Sequence, residues 1–273
     1  MRYIHMRQTR PSILLITSSH WRHHLGASVL AQHFNLVGIV SEERRMLQSG
    51  KTEEENAVIK EYDRECAEKE KEYFGKATAF PLPEENILRV PYGQGSGKEA
   101  CDWIEALHPD YVILFSAGII REPLLSMYRN RIINLHLGLT PYYRGSANAF
   151  WPLASGEPEG LGATVHLVVP EIDAGNILGQ ARPDDLKKKD GPRDVSNKNV
   201  MSGLLLLTRC IQGYAQGIIV PQPQRTDIGK IFRHKDYSAK AIIALKENFA
   251  HGMMKLYLDR KAKRDRKYPI IQR

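Results

Sequence analysis

The chain has 273 residues, of which 42% are hydrophobic and 26% charged, with a formal net charge of +8. That length suits one large domain, or a core of about 200 residues with a smaller tail. No stretch approaches the roughly 18 apolar residues of a membrane span. The first ten residues, MRYIHMRQTR, are basic but lead into an apolar run too short for a secretory signal, so the sequence reads as cytoplasmic.

The positive excess invites an anionic partner, but much of it sits at the ends: Arg2, Arg7 and Arg10, then Arg260, Lys261, Lys263, Arg264, Arg266 and Lys267. Such end-loaded charge is the mark of a solvated face, and no nucleic-acid partner is expected. Cys66, Cys101 and Cys210 are scattered without a CxxC or Cys/His ligand spacing. Neither a disulfide framework nor a metal is expected.

In chain order, residues 12–17 (SILLIT) form a short buried-strand pattern. A helix-length stretch to Gln32 and a second apolar run, residues 36–40 (LVGIV), complete a βαβ opening. From 42 to 75 the composition turns charged and helix-favouring, which predicts an exposed helical excursion outside the sheet. Strand signals resume at 86–90, 111–115, 131–136 and 163–169, with a helix at 98–107 between two of them. This alternation predicts an α/β, Rossmann-like fold: a mostly parallel twisted sheet, helices on both faces, and ligands at the carboxyl ends of the strands. Residues 194–214 read as an amphipathic helix that packs internally or forms a homodimer, 218–221 as a short strand, and 240–260 as a final helix. We divide the chain into a catalytic domain, residues 1–220, and a short C-terminal helical extension, residues 221–273.

The informative block is IINLHLGLTPYYRGSANAFWPLASGEPEGLGATVHLVVPEIDAGNILGQ, residues 132–180. Asn134 and His136 stand two apart in a strand, so both side chains project from one face. Asp173 follows in a turn-like PEIDAGN, placed to return a carboxylate to the imidazole. A carboxylate there raises the histidine pKa and favours the cation. An amide donor, a cationic imidazole and a carboxylate suit a reaction that develops an oxyanion and moves a proton, as acyl-type transfer does.

Asn134-Leu-His136, Pro141-Tyr-Tyr-Arg144-Gly145 and Asp173-Ala-Gly175, in that order, resemble the signature of the enzymes that use 10-formyltetrahydrofolate, including glycinamide ribonucleotide, methionyl-tRNA and amino-sugar formyltransferases. The resemblance implies that Asn134 and His136 polarise the formyl group while Asp173 holds the histidine and relays protons. It implies 10-formyltetrahydrofolate as cosubstrate, gripped largely by main chain at Phe115, Ser116, Ala117, Gly118 and Ile119 and at Val169, Pro170, Glu171 and Ile172. It requires no metal and no covalent intermediate.

Other residues have plainer readings. Arg144 and Tyr142 contact the acceptor or organise their own loop, and His20 and Arg22, after the first strand, are further candidates for acceptor contact. His166 lacks comparable company and reads as structural. Gly93-Gln-Gly95-Ser-Gly97-Lys98 has Glu99 where a phosphate loop needs Ser or Thr, and reads as a turn before a helix. The first turn, Thr17-Ser-Ser-His-Trp-Arg22, departs from the Gly- and Ser/Asn-rich phosphate turn of glycinamide ribonucleotide enzymes, and the tail is short for the RNA-binding domain of the methionyl-tRNA enzymes. Elimination leaves an amino-sugar nucleotide as the small-molecule amine. Glycinamide ribonucleotide, hydrolysis of the folate by water, and a non-catalytic folate-binding module remain as alternatives.

Overall fold

Short Ile-, Leu- and Val-rich runs form a seven-stranded sheet in the computed structural model, which describes residues 10–43, 52–147 and 149–272. The opening unit is β1 (Ser12–Ser18), α1 (Trp21–His33) and β2 (Asn35–Glu42). Then come α2 (Glu53–Phe74), β3 (Ile87–Val90), α3 (Lys98–Leu107), β4 (Tyr111–Phe115), α4 (Leu124–Met127) and β5 (Ile132–His136). The order across the sheet is β3-β2-β1-β4-β5-β7-β8, where β7 is Ala163–Leu167 and β8 is Ile177–Ala181. The first five strands are parallel, and β7 and β8 run antiparallel at one edge.

Burial on both faces explains why the central strands are nearly continuous in hydrophobicity. On one face Ile13, Leu15, Ile113, Ile133 and Leu135 pack with Ala27 and Leu30 of α1 and with Leu204, Leu207 and Ile211 of α6 (Pro192–Ala215). On the other, Leu14, Ile16, Val112, Leu114 and Ile132 pack with Ala100, Cys101 and Ile104 of α3. Alternation along β5 extends that second face from Ile132 to Asn134 and His136, so the strand turns polar where the helical cover ends. The strand order reverses between β1 and β4, which opens a crevice at the carboxyl ends.

The excursion differs from its expected exposure. Thr52 caps α2 by accepting from the Glu55 N–H, and Glu53, Glu54 and Glu55 favour the positive end of the helix. Its other face buries Ile59, Tyr62, Glu70 and Phe74, because apolar side chains recur at helical spacing among the charges. Residues 44–51, within the same expected span, lie outside the described residues, as does the basic segment 1–9.

Three short elements complete the crevice: β6 (Tyr143–Gly145), α5 (Trp151–Ala154) and β9 (Lys230–Phe232), with β6 and β9 pairing in parallel. The segment 218–221 is not a strand; a lone bridge joins Gln222 to Ile177 instead. The expected final helix is broken at Gly252, whose φ of 74° is left-handed, into α7 (Ala239–Ala250) and α8 (Met253–Leu258), followed by α9 (Lys261–Arg264). Ile242, Leu245, Met254 and Tyr257 from this region share a core with Tyr62, Tyr143, Phe150 and Trp151. Three of the six C-terminal cations are paired: Lys267 with Glu157, Arg264 with Glu159 and Lys261 with Asp265. Among the described residues no helix is long and apolar enough to cross a membrane.

Candidate active site

β5 places Asn134 and His136 side by side, and the loop after β7 returns Asp173 to them. The His136 Nε2–H donates to the Tyr143 carbonyl at 2.9 Å, while Nδ1 faces Asp173 Oδ2 at 3.4 Å. The Asn134 amide nitrogen lies 3.4 Å from Asp173 Oδ1 and 3.0 Å from His166 Nε2. The Gly145 N–H donates to Asp173 Oδ2 at 2.7 Å, the shortest contact the carboxylate makes here. Asp173 adopts a φ of 48°, a left-handed conformation that Asp tolerates better than most residues and that turns its side chain back over the sheet.

His166 therefore belongs to the cluster, against its reading as a structural strand residue. It stands opposite Asn134 in the antiparallel β5–β7 register, and Nε2 is 3.4 Å from Asp173 Oδ1. Its Nδ1 lies 2.8 Å from the Leu167 carbonyl, which places the ring hydrogen there and leaves Nε2 to accept from Asn134. Sequence could have found it only through the pairing register: two neighbouring strands each carry a polar residue at the same level.

The electrostatics correct a second expectation. Burial pulls the His136 imidazole below its ordinary value, and the opposing Asp173 charge does not restore it; His166 adds to the lowering, while the Tyr143 carbonyl works against it. His136 thus rests neutral near pH 7, rather than as the cation its neighbour suggested. Burial also pushes Asp173 upward, but His136, His166 and the Gly145 N–H more than offset it and hold the carboxyl well below the usual range. The resting site pairs a firmly ionised carboxylate with an imidazole able to take up a proton.

The two loops named for main-chain recognition flank the crevice. Ser116 has a φ of 57°, and the Gly118 N–H donates to Glu42 Oε2 at 2.6 Å. Glu42, at the end of β2 and 1% exposed, also accepts from the Gly95 N–H at 2.8 Å. A Cβ on either glycine would crowd this carboxylate, at 2.8 Å from Gly95 and 3.1 Å from Gly118. The glycine-rich turn thus wraps the chain's own anion. Phe115 is buried, Ile119 is exposed, and Ala117 is half-buried against the α3 side of the sheet. In the second loop Val169 and Ile172 are exposed; Val169 and Glu171 line a half-open groove of about 420 Å³ that Asn134, His136 and Asp173 do not line, and Pro170 between them is exposed. Gln224, which sequence reasoning missed, donates to the Asp173 and Gly175 carbonyls at 2.9 and 2.6 Å.

The side chains of the remaining candidates are engaged by other segments. Arg144 donates to the Thr226 carbonyl at 2.9 Å, and Tyr142 donates to the Pro269 carbonyl and packs on Tyr268, so both bind the C-terminal segment. Arg22 pairs with the buried Glu70 of α2 at 2.9 Å, and His20 Nδ1 lies 3.7 Å from the same carboxylate.

Residues 17–203, more than half of the chain, match the formyl transferase family, and the chain belongs to that family. It is 34% identical over 128 residues to a methionyl-tRNA formyltransferase of Leifsonia xyli subsp. xyli, a match covering 46% of this chain and 42% of that protein. The chain thus spans less than half the length of the first curated relatives it matches. Glycinamide ribonucleotide transformylase 1 from Symbiobacterium toebii superposes with a TM-score of 0.54 at 18% identity, covering 82% of this chain and 99% of that one. An N-formyltransferase from Helicobacter canadensis, in complex with folinic acid and dTDP-3-aminofucose, gives 0.52 at 14% identity, covering 87% and 80%. These two likenesses show the same α/β fold with its mostly parallel sheet.

Proposed function

We propose that the chain moves a formyl group from 10-formyltetrahydrofolate to a primary amine, with Asn134, His136 and Asp173 as the catalytic group. The observation that carries the reading is Asp173, an ionised carboxylate between an amide donor and a proton-accepting imidazole, in a chain of the formyl transferase family. As the acceptor nitrogen bonds to the formyl carbon, an oxyanion develops there, and the weakly held second Asn134 amide hydrogen is the donor for it. The acceptor nitrogen must lose a proton and N10 of the folate must gain one as its bond to carbon breaks. His136, with Asp173 beside it, accepts and returns that proton, so no proton is left over. The exposed Ile119, Val169 and Ile172 offer apolar surface to the folate ring beside main-chain groups of both loops.

The acceptor we favour is an amino-sugar nucleotide, because the first turn offers His20, Trp21 and Arg22 where a ribonucleotide enzyme carries a glycine-rich phosphate turn. The test is consumption of 10-formyltetrahydrofolate by the purified protein across a panel of amino-sugar nucleotides. Turnover of glycinamide ribonucleotide with none of the sugars would reverse the order. Formate release at the same rate without any amine would make the protein a hydrolase.

A further inference from the structure

Arg193 is the second residue of α6, where the helix dipole disfavours a positive charge. Its Nε is buried without a hydrogen-bond partner. Among the described residues its guanidinium forms no hydrogen bond and no ion pair. Tyr62 covers one flat face, with the guanidinium carbon 4.3 Å from the ring centroid. A ring below the plane does nothing for the N–H donors, which lie in the plane. Glu70, whose charge acts on it, is already bound to Arg22 through both the main-chain N–H and the guanidinium, at 3.3 and 2.9 Å. A half-buried cation left in this state is costly, and a bound oxyanion would remove the cost.

The position is informative. Glu70, whose charge reaches Arg193, also holds Arg22 at the start of α1, just after the carboxyl end of β1. Tyr62 packs edge-on against Phe150 at 6.1 Å, and Phe150 follows the loop whose Gly145 N–H holds Asp173. Arg193 is thus linked through Glu70 to the first βα turn and through Tyr62 and Phe150 to the segment that follows Gly145. Tyr62, Cys66 and Tyr237 also face it; burial pushes the Cys66 thiol up to about 12, so it stays protonated at neutral pH and adds no anion.

We propose that Arg193 is the anchor of an anion subsite that takes a phosphate group of the formyl acceptor, with the Arg22–Glu70 pair forming its wall. The assignment of that phosphate to the acceptor rests on the formyl-transfer reading; the subsite itself does not. Titration of the full chain with inorganic phosphate, followed by calorimetry, tests the subsite without any turnover. Phosphate should bind the native protein saturably, and Arg193→Met should weaken it at least about tenfold while tetrahydrofolate affinity stays within about twofold. Arg193→Lys keeps the charge and loses the fork, and should fall between the two. Equal phosphate affinity in the native protein and Arg193→Lys, or in all three, overturns the proposal. So does acetate binding as tightly as phosphate, or an equal loss of tetrahydrofolate binding in Arg193→Met. If Arg193→Met fails to fold, the Arg193→Lys titration decides alone. Failure of every amine to accept formyl would defeat the transfer reading and leave the phosphate result standing.

Discussion

Asp173, largely buried, and Glu42, fully buried, are carboxylates that both accept main-chain N–H groups of glycines. Asp173 takes Gly145, and Glu42 takes Gly95 and Gly118. They differ in what else they face. Two imidazoles and an amide surround Asp173, whereas among the described residues Glu42 meets no cation. One carboxylate therefore has groups with which to exchange protons, and the other can only hold loops in place. Burial and glycine contacts are common to both; the identity of the neighbours is what separates them.

The comparison breaks most sharply at Asp173. Asp173→Ala should lower kcat for formyl transfer by about a thousandfold or more, since both oxyanion positioning and proton handling depend on it. Steady-state rates check this, and a loss under tenfold would leave the two carboxylates functionally alike. Glu42→Ala should instead cost about 2–4 kcal/mol in urea unfolding, by leaving one buried and one partly buried N–H group unpaired. Glu42→Gln, which keeps an acceptor oxygen, should raise KM for the folate several-fold and leave kcat nearly unchanged. A selective fall in kcat would give Glu42 a chemical role.

Gln224 sharpens the contrast from outside, because it holds the main chain of Asp173 and not its carboxylate. Gln224→Ala should lower kcat by about fivefold to tenfold, the value of one or two hydrogen bonds, with the pH profile unmoved. The smallest effect is on pH dependence. The folded pKa of His136 lies below the ordinary 6.5, so between the two values the unfolded chain binds the extra proton. Its contribution to stability is present above pH 6.5 and is lost as pH falls toward the folded value. Asp173, also lowered, adds a further loss only below its ordinary 3.8. Unfolding curves of His136→Ala should be flatter than the native protein's just below pH 6.5, and the acid limb of kcat/KM in the native protein should lie below 6.5.

Sequence exposes the parts of this site that rest on side-chain type and spacing. Asn134 and His136 are two apart in a strand, and α3 begins and ends where its pattern does. What depends on distant pairing stayed hidden. His166 joins the cluster through an antiparallel register, Glu42 meets its glycines across 53 and 76 residues, and Gln224 reaches Asp173 across 51. The sign of the His136 shift was misjudged because a neighbouring charge is visible in a motif and desolvation is not.

The pairing of β6 with β9 has a consequence for how the chain can be divided. Gly145 has a φ of 92°, and a Cβ there would sit 2.0 Å from the Phe232 carbonyl oxygen; one on Gly229 would meet the Pro141 carbonyl oxygen at the same distance. The strand that carries the Gly145 N–H to Asp173 is thus clasped by residues more than eighty positions later. Cutting the chain between α6 and β9 would spare all seven strands of the sheet and both of its helical faces. The product would keep the strands of the scaffold and lose the clasp that holds Gly145 against Asp173.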